Sequence, residues 1–373
     1  MPLIGVLAVF LLLLAVQGAV YRRHWSRGLT VEMRFSQKTG VEGSSLQLVE
    51  TVASRKLLPL PWLTVKFQVS RNLGFEDSPH AIVTDDYYRQ DLFSLGMYQR
   101  VTRTLRVDLK KRGYYTIRSL DLLSCDLLLV QNLVVRAASD SALTVVPRPI
   151  PREAFGIRYD RLVGSLLVRT APLPDPFEFR TIREYLPTDT LKSVNWLATA
   201  RTGDLKVNVH ECTAARDVLI LLNVRGDREY DDDRPVEDCL RIASTLCEAL
   251  VEDGISVGLV SNGRDIVTGE TAEIEPGQSL AHVRAIQEQL GRLDLSRRAN
   301  DFAEILETRD LDLERGPMLL LVSFSCTRRL SDAWADALSR GHQGLWILPR
   351  YAWRPDDRTP AIPDAFLRWE VTT

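Results

Sequence analysis

The sequence predicts an α+β multidomain protein: an N-terminal transmembrane helix, an antiparallel β-sandwich, then a doubly wound α/β domain. Three observations predict it. An unbroken apolar run fills residues 2–20. Between about residues 29 and 147 apolar and polar residues alternate, as they do along half-buried strands. From residue 217 onward, short continuous apolar runs take turns with amphipathic helical patterns, which is how buried parallel strands and their crossover helices read. A chain of 373 residues is long enough for two separate cores. The expected divisions are an anchor with its basic flank (1–27), a β-sandwich-like domain (28–150), a helix-plus-strand segment (151–213) and the α/β domain (214–373).

The first element is PLIGVLAVFLLLLAVQGAV, in which Gln17 is the single polar side chain. That is about the length a helix needs to cross a bilayer. Tyr21 and Trp25 read as interface anchors, and Arg22, Arg23, His24 and Arg27 form a basic flank on the C-terminal side. By the positive-inside rule the soluble bulk then lies in the cytoplasm, in a single-pass cell-membrane protein. A cleaved signal peptide carries its basic residues on the other side of the apolar core, so a retained anchor is expected.

In the second region Leu63, Val65, Phe67 and Val69 alternate with Thr64, Lys66, Gln68 and Ser70. Leu105, Val107 and Leu109 repeat the pattern, as do Leu143 and Val145. Breakers at Pro59 and Pro61, at Asn72–Gly74 and at Lys111–Gly113 separate the runs, which predicts six or seven short strands. VPRPIP (146–151) is a stiff, extended exit.

Residues 178–211 pack charge around aromatic groups. Thr188, Asp189 and Thr190 offer capping oxygens for a helix start, and Leu191, Val194, Leu197, Ala198 and Arg201 then fall on one helical face. Gly203 ends that helix, and Leu205, Val207 and Val209 alternate with Lys206, Asn208 and His210 along a strand. Two uses suit the charged set. It is either a buried ion network that locks layers together or a docking surface for another protein.

This run resembles the signature of the domain of unknown function 58 family, roughly L-R-x-Y-x-x-G-D-x-x-R-x-I-x-W-x-A-x-A-R, then L-x-V and an acid. Arg183, Tyr185, Asp189, Lys192, Val194, Trp196, Ala198, Ala200, Arg201, Leu205, Val207 and Glu211 fit it. Ile182, Thr188 and Asn195 depart from it, the last replacing the acid before Trp196. KKRGYYTIRSLDLLSCD resembles the family's R-G-x-Y strand, although Leu127–Leu129 stands where the family has a Pro-Phe-Gly-Leu turn. Family members often carry two membrane helices; this sequence shows one. The expected signature and interaction residues, taking the charged set and the pattern together, are Arg183, Glu184, Tyr185, Asp189, Trp196, Arg201 and Glu211. The resemblance also implies a partner, a MoxR-type AAA+ ATPase.

In the last region VLILL (218–222), ISVGLV (255–260), MLLLVSF (318–324) and LWIL (345–348) read as buried strands. Helices are expected from Pro235 to Asp253, stopped by Gly254, around Leu280–Leu290, and after Ser331 as a cap. Cys239 on the first of these helices reads as a buried free thiol. This half resembles a von Willebrand factor A-like domain. That fold holds a divalent ion through D-x-S-x-S, and here the equivalent positions are Asn223, Arg225 and Asp227. A guanidinium among hard-cation ligands repels the ion, so a degenerate site without metal is expected. Asp231–Asp233 reads as a solvated acidic run, and Ser323 and Ser325 have no acid between them.

Several function classes find no support. There is no phosphate-binding glycine motif, no HExxH and no GxSxG. Net charge is −2, giving no electrostatic pull toward nucleic acid. Five cysteines without CxxC spacing favour a reducing compartment. His24, His80, His210, His282 and His342 are too scattered to form a ligand cluster. The expectation is a membrane-anchored interaction protein with no cofactor and no catalytic residues. The alternative is a hydrolase that uses Glu184, Asp189 and Glu211, provided those carboxylates converge.

Overall fold

A computed structural model of the chain describes residues 2–75, 82–83, 86–126, 129, 131–151, 159, 174–184, 195–212, 217–225, 233–308, 317–350 and 366–370. The chain divides into two compact units. The first comprises Met1–Arg148, Asp265–Thr268 and Gln287–Asp294; the second holds the rest.

The first unit begins with α1 (Pro2–His24), one helix long and apolar enough to span a membrane. Its leucines from Leu7 to Leu13 are exposed, as a lipid-facing surface would be. One stripe is different. Leu14 and Gln17 are half-buried, and Gly18, Tyr21 and, just beyond the helix, Trp25 are buried. This is a helical i, i+3, i+4 face. Tyr21 and Trp25 belong to the core of the sandwich, and the Tyr21 hydroxyl donates to the Pro59 carbonyl at 2.9 Å. The expected role for them as free interface anchors is therefore corrected. Aromatic rings that sit beside a folded domain gain more by joining its core than by standing in the headgroups.

Ten strands, not six or seven, follow. They are β1 (Leu29–Phe35), β2 (Thr39–Val41), β3 (Ser45–Ser54), β4 (Leu60–Ser70), β5 (Leu73–Phe75), β6 (Ile82–Val83), β7 (Asp86–Leu95), β8 (Arg100–Leu109), β9 (Gly113–Cys125) and β10 (Asn132–Val146). They form two sheets, β1-β3-β8-β5 and β2-β10-β9-β4-β7-β6. All pairs are antiparallel except β2 with β10. The alternation on β4 does what the sequence promised, burying Leu63, Val65, Phe67 and Val69.

On β7 the inward positions are Arg89, Asp91, Phe93 and Leu95, so two charges face the core. Arg89 grips Asp91 through two N–H groups, at 2.8 and 3.2 Å, and Arg103 reaches Asp91 at 3.2 Å. Glu50 on β3 is fully buried beside them. Burial, and then the Asp91 charge, push its pKa from 4.5 up to about 8, against a smaller pull from Arg89 and Arg103.

The second unit carries the hairpin of β11 (Pro174–Glu184) and β12 (Lys206–Cys212), with α2 (Trp196–Thr202) between them. Then come β13 (Val218–Leu222), α3 (Arg234–Glu252), β14 (Val257–Asp265), β15 (Thr271–Gly277), α4 (Leu280–Arg292), β16 (Leu293–Asp294), α5 (Phe302–Thr308), β17 (Met318–Val322), α6 (Arg328–Ser339), β18 (Gly344–Arg350) and β19 (Phe366–Glu370), of which the end of α4 and β16 (287–294) are part of the first unit. The sheet order is β15-β14-β13-β17-β18-β19, with β16 also on β14. From β14 to β19 the pairs are parallel, and β15 is an antiparallel edge. Counting only the parallel strands, the order is the second, first, third, fourth and fifth, which is the doubly wound arrangement with its switch point between β13 and β17.

Leu219, Leu221, Leu319, Leu321 and Trp346 cluster with Phe302, Leu306, Leu330 and Trp334 of α5 and α6. The alternate residues Ile220, Leu222, Leu320 and Val322 are buried too, and α3 packs on β13, β17 and β18. Thr327, not Ser331, caps α6, accepting from the Leu330 N–H at 3.2 Å. The Cys239 thiol is fully buried and free, and burial pushes its pKa up, as expected of an inert core thiol.

The Glu50 shift has a measurable consequence. Because its folded pKa is raised, the folded protein keeps a proton that the unfolded chain gives up between pH 4.5 and about 8. The stabilisation is complete below the lower value and is lost as pH rises through the upper. Glu50→Gln keeps the shape without the ionisation. Thermal melts of the full chain should show the variant melting above wild type at about pH 8 and the gap closing toward about pH 5.

Candidate functional site

The local chemistry of residues 195–212 is laid out by two caps. Asn195 is the N-cap of α2, its side chain accepting from the Ala198 N–H at 2.9 Å. Gly203 closes the helix in the left-handed region at φ 82°, and its N–H reaches the Thr199 carbonyl. The stop at Gly203 and the strand after it were legible; the start was not. Asn195 is the position where the family pattern has an acid, and an amide oxygen serves as a cap equally well. Thr188, Asp189, Thr190, Leu191 and Val194 lie outside the described residues, as does Tyr185.

Of the expected apolar face, Leu197 is 68% exposed and Ala198 half-buried, and Trp196 beside them is 65% exposed. Arg201 is also exposed. It stands in the last turn of this seven-residue helix. Val207 is buried, whereas Leu205 just before the strand is 42% exposed.

Arg183 and Glu184 stand at the end of β11, opposite Val207 and Lys206 on β12. Glu211 lies five residues further along β12, toward the other end of the hairpin, about 17 Å away at the rise of a strand.

The carboxyl ends of the parallel strands form the second candidate region, where doubly wound sheets bind ligands. Asn223 follows β13 and is buried. Its Nδ2 donates to Ser323 Oγ at 3.0 Å. Its Oδ1 accepts from Asn262 Nδ2 at 2.8 Å and from the Arg225 N–H at 3.0 Å. Asn262 Oδ1 in turn accepts from the Val224 N–H at 2.9 Å, and its Nδ2 also reaches the Asn300 carbonyl at 2.8 Å. Ser323 Oγ donates to the Ser325 carbonyl at 2.8 Å and lies 3.2 Å from the Ser325 N–H. Both lone pairs of the Asn223 oxygen are thus committed within the protein.

At the mouth of this network Arg225 lies 3.8 Å from Asp301. Arg329 pairs with Asp301 at 3.2 Å, Glu307 at 3.4 Å and Glu304 at 3.6 Å. Those acids are spaced three apart along α5, so one guanidinium faces all of them. Asp227, Asp231 and Asp232 lie outside the described residues. Among the described residues no group of three or more His, Cys, Asp or Glu is placed to hold a metal ion. Sequence reasoning found Asn223, Arg225, Ser323 and Ser325 but missed Asn262, Asp301 and Arg329. Only the strand order brings those to the switch point.

The fold and the site define a β-sandwich with an apolar helix, followed by a doubly wound α/β unit whose crevice is closed by amides and guanidinium groups. Residues 181–350 match the model of the family described as "Protein of unknown function DUF58". No curated protein matches the chain. Among solved structures, a CARDB domain from Pyrococcus furiosus is 15% identical, covering 32% of this chain and 87% of that one, at a TM-score of 0.22. A non-cellulosomal cohesin from Archaeoglobus fulgidus is 9% identical, covering 35% and 98%, also at 0.22. Domains D2 and D3 of the pilin SpaD from Corynebacterium diphtheriae are 7% identical, covering 29% and 50%, again at 0.22.

Calorimetry with millimolar Mg²⁺ or Mn²⁺ on the full chain should give no saturable heat. A one-site isotherm that Asp227→Ala abolishes would show instead that the acids of this loop coordinate a cation.

Proposed function

We propose that this protein is a single-pass, membrane-anchored interaction protein, not an enzyme, whose second unit is a von Willebrand factor A-like domain with a degenerate ion site. The observation that carries the reading is the crevice at the switch point. In place of oxygen ligands it holds Asn223, Asn262 and Ser323, whose described polar atoms bond one another, with Arg225 and Arg329 against Asp301 at its mouth. A positive side chain at that place satisfies the acids that a cation otherwise would. The Ser323 hydroxyl is spent in hydrogen bonds within the network, which argues against its use as a nucleophile.

The binding surface in this reading is the family segment itself. Trp196 and Leu197 form an exposed apolar pair with Arg201 exposed on the same short helix. Aromatic and arginine side chains of this kind are favoured anchors at protein interfaces. The partner implied by the family resemblance is a MoxR-type AAA+ ATPase. By the positive-inside rule, the basic residues after α1 support a cytoplasmic position for both units.

Two measurements test this. A pull-down of the full chain from detergent-solubilised membranes should bring an AAA+ ATPase with it, identified by mass spectrometry. Trp196→Ala with Leu197→Ala, and separately Arg201→Ala, should lose that ATPase while melting like wild type. A large fall in melting temperature would return the segment to a structural role. For the sidedness, protease added to intact cells should leave the C-terminal unit uncut, and ready digestion there would reverse the orientation.

A further inference from the structure

The base of α1 presents a feature that the anchor reading alone does not use. Arg22 and Arg23 are the first charges after the apolar run, so the bilayer surface lies at that turn of the helix. Gln17 and Gly18 are one turn deeper, about 5 Å toward the hydrocarbon. Yet the sandwich reaches that depth. Gln131 sits so close to Gly18 that a Cβ there would lie 2.8 Å from its Nε2, and its Oε1 accepts from Arg22 at 3.1 Å.

Two loops therefore stand at the depth of the headgroups. One, between β9 and β10, carries Leu129, 61% exposed. The other, between β3 and β4, carries Leu57, 68% exposed, and leads to Trp62, 46% exposed at the start of β4. Exposed leucines with a Trp at this level match the side chains that soluble domains sink into the headgroup–acyl boundary.

Beside these loops lies a groove of about 450 Å³, lined by Val20, His24, Arg27, Lys56, Leu57 and Pro59. Its character is mixed in a particular way: apolar on the side of α1 and Leu57, basic at the rim. Lys56 Nζ donates to the carbonyls of Trp25 and, at 3.4 Å, His24, capping the end of the helix. An ammonium has three N–H donors, so one remains for the groove. Arg55 and Arg27 are exposed on either side. No acid lines the groove.

We infer that this groove seats the headgroup of an anionic phospholipid, with the acyl chains running along α1 and the loops at Leu57 and Leu129 embedded beside it. The inference rests on the membrane reading of α1. Its chemistry is a phosphodiester between Lys56 and Arg27 at a surface where anionic lipid is abundant. Burial pushes the Lys56 ammonium down to about 8, and a neighbouring anion would restore its charge.

The test uses the full chain in nanodiscs that contain either photoactivatable phosphatidylglycerol or photoactivatable phosphatidylcholine, with crosslinked peptides mapped by mass spectrometry. Crosslinks should fall on residues 55–62 and 126–131 as well as on α1, and at 55–62 they should be several-fold stronger with phosphatidylglycerol. Arg27→Gln and Lys56→Gln should each remove that preference; Arg27→Gln leaves the helix cap intact, so its result stands even if Lys56→Gln unfolds. Crosslinks confined to α1 overturn the inference and leave the membrane anchor standing. Equal labelling of 55–62 by both lipids overturns it as well. No crosslink anywhere removes the anchor and the inference together.

Discussion

Strand β13 sets the constraint on which the second unit depends. All five of its residues, Val218 to Leu222, are buried, and it is hydrogen-bonded to a parallel strand on each side. A strand so placed must have both faces covered by helices, and parallel neighbours must be joined by crossovers. The chain meets both demands by running to β14 on one side and back across to β17 on the other. That reversal opens the crevice at Asn223 and Ser323. Everything proposed for the crevice follows from the reversal, because Asn262, Asp301 and Arg329 have no reason to meet without it.

The crevice satisfies its polar groups from within the fold. Buried polar groups at the carboxyl ends of strands need partners, and an ion is one way to supply them. Here side-chain amides bond side-chain amides and hydroxyls, and a guanidinium bridges three acids of α5. The half-exposed ion pairs at the mouth add little stability individually. Their effect is to fix positive charge at the mouth of the crevice.

In the first unit the corresponding constraint is the joint between helix and sandwich. Gly18, Tyr21 and Trp25 place the last turns of α1 in the sandwich core, so the anchor and the domain cannot turn independently of each other. This sets Leu57 and Leu129, both exposed, in the same unit as the end of α1. The buried Arg89–Asp91–Glu50 group lies in the same sandwich and gives it a stability that falls as pH rises.

The sequence by itself determined the elements whose signal is local. The period of two along β4, the all-apolar run of β13, the stop at Gly203 and the free thiol of Cys239 were all legible, because each depends on nearest neighbours and on burial of one face. The family segment was legible in the same way, as residue types in order. What the tertiary structure decided were the quantities that depend on what lies opposite. Tyr21 and Trp25 have the composition of an interface belt, and only the sandwich beside them draws them into a core. Arg89 and Asp91 break the apolar alternation of β7, and only the approach of β3 and β8 shows that they are buried. Glu184 and Glu211 belong to one charged run in the sequence, yet the register of β11 on β12 pairs Glu184 with Lys206, five residues before Glu211 on β12. Sequence spacing fixes which face a side chain takes along one element; it carries no information about the partner across the gap, and it is the partner that decides hydration, charge and reach.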